Sequence, residues 1–396
     1  MLDRIGAYEG IPNDTFSWSI LDRTRNSATI SSGDGTGATV TLTLDAAADS
    51  ANLGAFLVDD VLRTETGTLV KVTAVGAAGG YQTITVARLD GTNVVAADFA
   101  NGEQIGHAFT AFDEGSSGPN GRIFLPYEEY NYTQIFRRGV KVTGGALNQK
   151  SYLNGGKSWY WTVEDKMFEE HQADLERAIM FGTRTSVGNK KTFRGIWDRV
   201  VTGAEGQVTN YSSTTGITES DIQSMITSLV REGSSNDIVL LCGSDAMADI
   251  QQALKAYAVN GGLDYGSFGS NVAGLDFSTY KFFGKTLLLK YYELFDDVKT
   301  LPFVSTPTAT KINFRHVALA LDMGSADEPL MKLKYRDGDG GQRKLIHKVI
   351  PGMHGDSSDM GGIAANSFDG WEVQILSECS LEHRLPNRSG ALIGNS

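Results

Sequence analysis

The first third of the chain is dominated by an alternation of apolar and polar positions. Stretches such as Val40-Thr-Leu-Thr-Leu and Thr83-Ile-Thr-Val alternate strictly, and clusters of Gly, Asp and Asn separate them. A period of two bounded by turn residues is typical of half-buried β-strands. Runs of this type cover residues 38–44, 56–64, 68–75, 82–89 and 103–109. They predict a small β-barrel or sandwich within residues 28–112.

Helical spacing is clearest at residues 163–181. Thr162 followed by Asp165 resembles a capping box, and Gly182 is a natural helix stop. Acidic residues occupy the polar faces, and the apolar positions are Val163, Met167, Phe168, Leu175, Ala178 and Ile179. The pattern predicts one long amphipathic helix.

A helix–strand–helix pattern follows at residues 218–258. Thr218 is expected to cap the first helix and Gly233 to end it, and a short buried strand is expected at 238–242. Ser244 is expected to cap the second helix. Later runs at 281–289, 312–321, 330–335, 344–350 and 371–381 predict strands, the first of them as a hairpin. The predicted fold class is therefore α+β, with more strands than helices.

Composition narrows the classes of function. The chain has 396 residues and a net charge of −12, whereas a dedicated reader of nucleic acids normally carries a basic face. Residues 28–112 contain nine acidic and three basic side chains, which indicates a solvent-facing domain. Cys242 and Cys379 are the two cysteines, so no disulfide framework is implied and a reducing compartment fits. No apolar run reaches the length of about 18 residues that a membrane span needs.

Two stretches partly match a phosphate-binding loop. Gly155-Gly-Lys-Ser158 and Gly284-Lys-Thr286 have the end of that motif, but Ser151 and Thr279 stand where it requires Gly. Neither stretch joins a strand to the start of a helix in the required way. Simple turns are the favoured interpretation of both.

Catalytic and metal-binding residues are not predicted. Asp337-Gly-Asp339-Gly-Gly resembles the start of a calcium loop, but Lys348 occupies the position of the final Glu, and a hairpin turn is favoured. The six histidines show no His-x-x-x-His spacing, and Gly-x-Ser-x-Gly is absent. His171, on the long helix, is expected to pack or to form a hydrogen bond. We predict a protein that is not an enzyme and uses no cofactor, with a hydrolase of dispersed catalytic residues as the alternative.

Basic residues form two clusters that allow two interpretations. Within 330–336 the bases alternate with apolar residues and therefore share one face of a strand. Contact with a phosphate backbone is one interpretation. Pairing with acids on a neighbouring face or subunit is favoured by the net charge of −12. The clusters are Lys190, Lys191, Arg194 and Arg199, and Lys332, Lys334, Arg336, Arg343, Lys344 and Lys348.

An aromatic stretch precedes the long helix. Residues 125–158 combine Tyr, Phe and Arg with strand-like patterns punctuated by Gly. These residue types are enriched in the cores of protein interfaces, although they also suit strands packed on their own domain. We favour a contact with another subunit, because the stretch has little sequence with which to bury itself. The predicted contact residues are Tyr127, Tyr130, Tyr132, Phe136, Arg137, Arg138 and Lys141.

The order of these elements, together with two stretches, resembles a known family. Tyr130-Asn-Tyr-Thr-Gln-Ile-Phe136 and Leu175-Glu-Arg-Ala-Ile-Met-Phe-Gly182 resemble the major capsid proteins of tailed bacteriophages. These proteins have the Hong Kong 97-type capsid fold, and the similarity points to the subfamily with a β domain inside the extended loop. The implied domains are an N-terminal arm (1–27), the inserted β domain (28–112), the extended loop arm (113–158), the spine helix and peripheral domain (159–217), the axial domain (218–325) and C-terminal strands that return to the peripheral domain (326–396).

The resemblance implies a structural function. Copies of the chain would assemble as pentamers and hexamers into the icosahedral shell that encloses a double-stranded DNA genome. The implied partners are the chain itself, separate scaffolding, decoration and portal proteins, and packaged DNA in non-specific contact, with no membrane. The protein would be made in the host bacterial cytoplasm and reside in the virion. The alternative is a β-rich phage surface or adhesin-type binding module, which 28–112 supports best and which leaves the long helix unexplained.

Overall fold

The computed structural model describes most of the chain and divides it into two compact units. The described residues are 8–20, 26–33, 35–47, 56–115, 127–147, 159–260, 279–297, 301, 311–325, 327–338, 340–352 and 368–395. One unit, called the body here, comprises Met1–Ile20 and Glu128–Ser396. The other, called the barrel unit, comprises Leu21–Tyr127.

Strands outnumber helices among the described residues, as the sequence predicts. The strands are β1 (Tyr8–Ile11), β2 (Thr15–Ile20), β3 (Ser27–Ser32), β4 (Val40–Ala47), β5 (Asp60–Thr64), β6 (Leu69–Ala78), β7 (Tyr81–Arg88), β8 (Gln104–Thr110), β9 (Tyr127–Tyr132), β10 (Gln134–Thr143), β11 (Thr185–Val187), β12 (Lys190–Thr192), β13 (Gln207–Ser212), β14 (Asp237–Cys242), β15 (Thr279–Phe282), β16 (Lys285–Tyr291), β17 (Val317–Asp322), β18 (Met331–Gly338), β19 (Gly341–Gln342), β20 (Ile346–Pro351), β21 (Gly370–His383) and β22 (Gly390–Asn395). The helices are α1 (Gly144–Leu147), α2 (Trp159–Phe181), α3 (Glu219–Arg231) and α4 (Ser244–Asn260). The α+β class is confirmed.

The barrel unit is a closed barrel with the strand order β3-β4-β7-β6-β5-β8. Alternate side chains of these strands fill its interior, and Leu42, Leu62, Val72 and Ile84 are fully buried there. The buried amide of Gln82 pairs with the backbone of Phe56, since it donates to the Phe56 carbonyl and accepts from the Phe56 N–H. The predicted strands are confirmed, and β3 is an additional one.

The sequence does not single out β3 because only two of its positions are apolar and buried. These are Ala28 and Ile30 in an otherwise polar stretch. Its place in the barrel is set by antiparallel pairing with β4 and β8. Polar strands of this kind depend on partners that lie far along the chain.

The first sheet of the body, called the central sheet here, has the order β1-β18-β21-β10. The short strand β1 forms a parallel edge on β18, while β20 also pairs with β21. Strand β10 pairs with β21 without a break from Gln134↔Cys379 to Thr143↔Gly370. Part of the predicted arm is therefore a strand of the central sheet and not a free ribbon, because its alternate side chains Phe136 and Val142 are buried.

Helix α2 packs on one face of the central sheet. Met167 lies in a small apolar cluster with Val142, Val373 and Ile375. The helix ends at Phe181, as the predicted stop at Gly182 requires. It begins at Trp159, four residues before the predicted start at residue 163. The prediction that Thr162 caps it is wrong, because the preceding residues are compatible with a helix and continue it. In the described part of the chain, no helix has the length and apolar character that crossing a membrane requires.

The second sheet of the body has the order β13-β22-β17-β14-β16-β15 and carries α3 and α4. Thr218 caps α3 in a reciprocal capping box with Asp221, as the sequence predicts in part. The predicted strand and second helix are confirmed as β14 and α4. The prediction that Ser244 caps α4 is wrong, because Ser244 is the first residue of the helix and both its N–H and its hydroxyl donate to the Asp296 carboxylate. The hairpin β15–β16 turns at Phe283 and Gly284, both with positive φ, so Gly284-Lys-Thr286 starts in a hairpin turn and continues into β16.

Candidate functional site

The turn between β9 and β10 is fixed by the buried side chain of Asn131. Its Nδ2 donates to the carbonyls of Leu381 at 2.9 Å and Arg194 at 3.2 Å. Its Oδ1 accepts the N–H of Arg194 at 2.9 Å and that of Tyr132 at 3.0 Å. An amide side chain has two donors and one oxygen with two lone pairs, so every one of its hydrogen-bonding positions is occupied.

Thr133, also buried, completes this anchor. Its hydroxyl donates to Oε1 of Glu378 at 2.9 Å, and its N–H donates to the Asp14 carbonyl at 2.9 Å. Lys191 bonds to the Asp14 carboxylate and lowers the pKa of that carboxyl. We call Asn131 and Thr133 with these partners the root, because three distant segments of the chain meet there, at Asp14, at Arg194 and at β21.

The N-terminal strand β1 is held by charge as well as by backbone pairing. The Glu9 carboxylate binds both Lys332, at 2.8 Å, and Lys334. Hydrogen bonds from these two lysines lower the pKa of Glu9 from 4.5 to about 2. Burial alone lowers the pKa of Lys334, but hydrogen bonds with Glu9 and Glu382 outweigh burial and raise it. The lysines that alternate along β18 thus tie the edge strand to the sheet.

Two carboxylates lie buried next to these lysines on β21. Glu378 and Glu382 are each 1% exposed. Glu378 binds Arg336 at 3.0 Å and also Arg343, while Glu382 binds Lys334 at 3.0 Å. Because buried charges require partners, these contacts explain why the bases of this cluster face one side of β18.

The other basic cluster is paired in the same way. Arg194 binds Asp198 at 2.7 Å and also Glu205. The buried Arg199 binds Glu205 at 3.0 Å and donates to the His383 carbonyl at 2.9 Å. Burial, reinforced by the two arginines, lowers the pKa of His383 to about 3. Pairing with acids, the interpretation favoured from the sequence, is confirmed for these residues of both clusters.

The structure places the predicted contact residues on β9 and β10 but gives them different surroundings. The ring of Tyr130 lies against Tyr132 and under the Arg184 guanidinium, 4.0 Å from its centre. Phe136 is buried against Phe193 in the core of its own chain. Arg138 binds Glu170 and Asp174 of α2, Arg137 donates to Gln374, and Lys141 binds Glu372 at 3.3 Å. The Tyr127 side chain lies outside the described part, and the contact role of the set stays a prediction.

Nothing in the sequence alone singles out the root or the buried acids. Asn131 and Thr133 are ordinary strand residues by pattern, and short polar side chains within an aromatic run are their only signal. Glu378 and Glu382 are spaced by four along a strand and read as solvent-facing positions. The alternating bases of 330–336 on β18 predict acidic partners, but they do not identify which acids these are or that they are buried.

The described residues offer little reactive chemistry. They contain no group of three or more His, Cys, Asp or Glu side chains that could hold a metal ion. Cys242 and Cys379 are buried free thiols whose pKa values are raised by burial, which makes thiols unreactive. His171 is hydrogen-bonded through Nε2 to the Ser377 hydroxyl at 2.8 Å, as expected for a structural residue. Asp337 lies in a hairpin between β18 and β19, and Gly155-Gly-Lys-Ser158 falls outside the described residues.

Comparison with protein families gives one extended match. The model of the family described as SU10 major capsid protein matches residues 1–298. A curated relative, the major capsid protein of Pseudomonas phage PaMx41, is 26% identical over 294 residues, which are 67% of this chain and 62% of the relative. The chain therefore spans less than two thirds of the length of this relative.

Comparison with solved structures finds phage particles at low similarity. The capsid asymmetric unit of cyanophage A-1(L) has a TM-score of 0.45 and 9% identity, and it covers 72% of this chain and 85% of its own. A structure of Mycobacterium phage Bobi has a TM-score of 0.43 and 10% identity over 99% of this chain and 90% of its own.

Proposed function

Because the chain belongs to the SU10 major capsid protein family, we propose that it is the major capsid protein of a tailed bacteriophage. Copies of it form the closed icosahedral shell around the double-stranded DNA genome. The family match over residues 1–298 carries this proposal. The protein has no enzymatic role, is made in the cytoplasm of the host bacterium and resides in the virion.

The arrangement of the body supports a Hong Kong 97-type subunit. A long helix stiffens a sheet whose edge is an N-terminal strand. The second sheet, with its two helices, lies between β10 and β18 along the chain except for β22, which follows β21. In this proposal the central sheet with α2 is the peripheral domain, and the second sheet with α3 and α4 is the axial domain. Axial domains meet in fives and sixes, and closed symmetry makes many modest contacts durable.

The root supports a role in holding an arm. The chain uses buried, fully bonded polar side chains at Asn131 and Thr133 to fix the direction of the backbone between β9 and β10. A fixed direction at this point matters for a protein that must present Tyr130 and Tyr132 to a neighbour. The alternative, a β-rich binding module, explains the barrel unit but leaves the function of α2 and of the second sheet unexplained.

Electron microscopy of the purified protein tests the proposal. We expect rings of five or six copies, tubes or closed shells, for the chain alone or when it is expressed with the scaffolding protein of the same phage. The matched variants are Tyr130→Ala, at the predicted contact, and Tyr81→Ala, an exposed tyrosine of the barrel unit. We expect the first to impair assembly and the second to leave it intact. Small particles alone, under every condition, would overturn the proposal.

A further inference from the structure

The tip of the β15–β16 hairpin combines exposure with backbone strain. Its turn residues, Phe283 and Gly284, have φ angles of 50° and 73°. Positive φ at both positions is characteristic of a type I′ turn, which favours Asn, Asp or Gly because other L residues are strained there. Phe283 is nevertheless 64% exposed, and a Cβ added at Gly284 would meet no atom within 4 Å. Neither turn chemistry nor burial within its own chain explains an aromatic residue at this position.

A row of aromatic rings supports Phe283 from below. The ring centres of Phe283 and Phe282 are 4.2 Å apart. Phe282 is stacked on Tyr280, with ring centres 6.3 Å apart and ring planes inclined by 22°. Tyr280 and Phe282 pack against the apolar cluster that α3 and α4 form with the second sheet. The row therefore runs from this cluster to the exposed tip. Aromatic residues are enriched in the cores of protein interfaces, and a side chain held in place before binding loses less entropy on association.

The other end of β16 carries a second exposed aromatic residue. Tyr291 is the last residue of this strand and is 53% exposed. Its hydroxyl lies next to the Asp296 carboxylate, which accepts the N–H of Ser244 at 2.9 Å and the Ser244 hydroxyl at 2.6 Å. Tyr291 therefore lies beside the start of α4. Because a strand rises by about 3.3 Å per residue, roughly 20 Å separates Tyr291 from the tip.

The surroundings of the two ends have opposite charge. Lys281 and Lys285 flank the tip, and no acidic residue occurs in β15, in the turn or in β16. The first turns of α3 and α4 are acidic by contrast. Asp249 of α4 accepts a backbone N–H at the start of α3, so the acids of both helices lie close together. The Asp245 side chain there is 44% exposed. One end of the second sheet therefore presents an aromatic residue with lysines, and the other presents an aromatic residue with carboxylates.

We propose that Phe283 anchors a head-to-tail contact between two copies of this chain, in which the hairpin tip of one copy docks on Tyr291 and Asp245 of the next. The inference rests on the proposed function and names a contact through which the copies assemble. A head-to-tail contact joins two different surfaces of the same molecule, and it closes into a ring when the rotation between copies allows. The two aromatic rings supply the apolar contact, and Lys281 faces the acids at the start of α4. This contact explains why Phe occupies a turn position that favours Asn or Gly.

The substitution Phe283→Asn separates the contact from folding. Asn tolerates positive φ, so we expect the urea midpoint of the unassembled protein to stay the same or rise, while rings and shells are lost in electron micrographs. The matched control is Tyr81→Asn, which replaces an aromatic residue that is 50% exposed beside the tight β6–β7 turn and should leave assembly intact. A lower urea midpoint for Phe283→Asn would show that Phe283 serves the fold of its own chain. Intact assembly of Phe283→Asn would show that the residue is not a contact. Either result overturns the inference.

A disulfide between copies tests which surface receives the tip. In Phe283→Cys/Tyr291→Cys the two new thiols lie too far apart to pair within one copy, and the natural Cys242 and Cys379 are buried. After oxidation of the assembled protein, we expect a ladder of covalently linked copies on non-reducing gels. Each single substitution should give single copies. Efficient dimer formation by Phe283→Cys alone would indicate a two-fold contact, and assembled particles without a ladder would exclude Tyr291 as the partner. Both results contradict the proposal.

The outcome for the unmodified protein distinguishes this inference from the proposed function. Failure of the unmodified protein to assemble under every condition contradicts the proposed function, and the inference with it. Assembly of the unmodified protein together with normal assembly of Phe283→Asn contradicts the inference alone, because the copies then associate through other surfaces.

Discussion

Replacement of Asn131 by Ala tests whether the root is held by its side-chain amide. The variant removes three long-range hydrogen bonds, with Leu381 and both backbone groups of Arg194. A buried polar group that loses its partner costs about 1–3 kcal/mol. With partial relaxation and entry of water, we expect the free energy of unfolding of the body to fall by about 3 kcal/mol.

Tryptophan fluorescence in urea measures this change in the body alone. The tryptophans are Trp18, Trp159, Trp161, Trp197 and Trp371, and none lies in the barrel unit. The signal therefore separates the unfolding of the body from that of the barrel unit, which a whole-chain measurement would combine. Low protein concentration keeps assembly out of the equilibrium.

Asn210→Ala is the matched control for Asn131→Ala. Asn210 also precedes a tyrosine on a strand of the body, but its side chain is exposed. A surface change of this kind is expected to alter the free energy of unfolding by no more than about 0.5 kcal/mol. Asn131→Asp adds a sharper test, because its second carboxylate oxygen faces two carbonyls and should destabilise at least as much as Ala. A loss at Asn131 no larger than the loss at Asn210 would refute the reasoning.

Three further outcomes follow from the structure. The pKa of Glu9 is lowered from 4.5 to about 2, so its stabilising effect is present above about pH 4.5 and is lost as the pH falls towards 2. The urea midpoints of the unmodified protein and of Glu9→Gln should therefore differ at pH 7 and converge at low pH. A difference that stays constant with pH would contradict this. Thr218→Ala removes the hydroxyl of the capping box and should lower the free energy of unfolding of the body by about 1 kcal/mol in the same fluorescence assay, whereas no change would show that the cap is not stabilising. Replacement of residues 28–112 by a short Gly/Ser turn should leave the circular dichroism of the body intact, because the barrel unit has its own apolar cluster; global loss of secondary structure would show that this boundary is wrong.

Local signals explain which parts of the fold the sequence predicts. The α3 cap at Thr218 and the β15–β16 turn at Gly284 depend on residues within four positions, and both agree with expectation. The start of α2 differs from the prediction. A capping signal at Thr162 contributes little compared with the cooperative extension of a helix that has already formed.

Long-range pairing explains what the sequence does not predict. The partner of β1 lies more than 300 residues away, with Tyr8 opposite Leu333, and nothing within either strand specifies that register. By pattern, Glu378 and Glu382 are typical of surface residues. Their burial depends on ion pairs with Arg336 and Lys334 of β18. The root cannot be predicted from the sequence for the same reason, because Asn131 forms its hydrogen bonds with backbone atoms of Arg194 and Leu381, which lie far along the chain.

The separation of paired strands also orders the events of biosynthesis. Every strand pair of the barrel lies within residues 27–110. In the central sheet, by contrast, Gln134 of β10 pairs with Cys379 of β21, and Tyr8 of β1 pairs with Leu333 of β18. Since domains fold as units while the ribosome is still elongating the chain, the barrel unit is finished long before the body. The central sheet closes only after β21 has emerged, because β21 joins β18 to β10. Until β21 is available, β10 and β18 lack the strand that pairs with both of them, and an unpaired strand edge is the kind of surface that pairs with other chains.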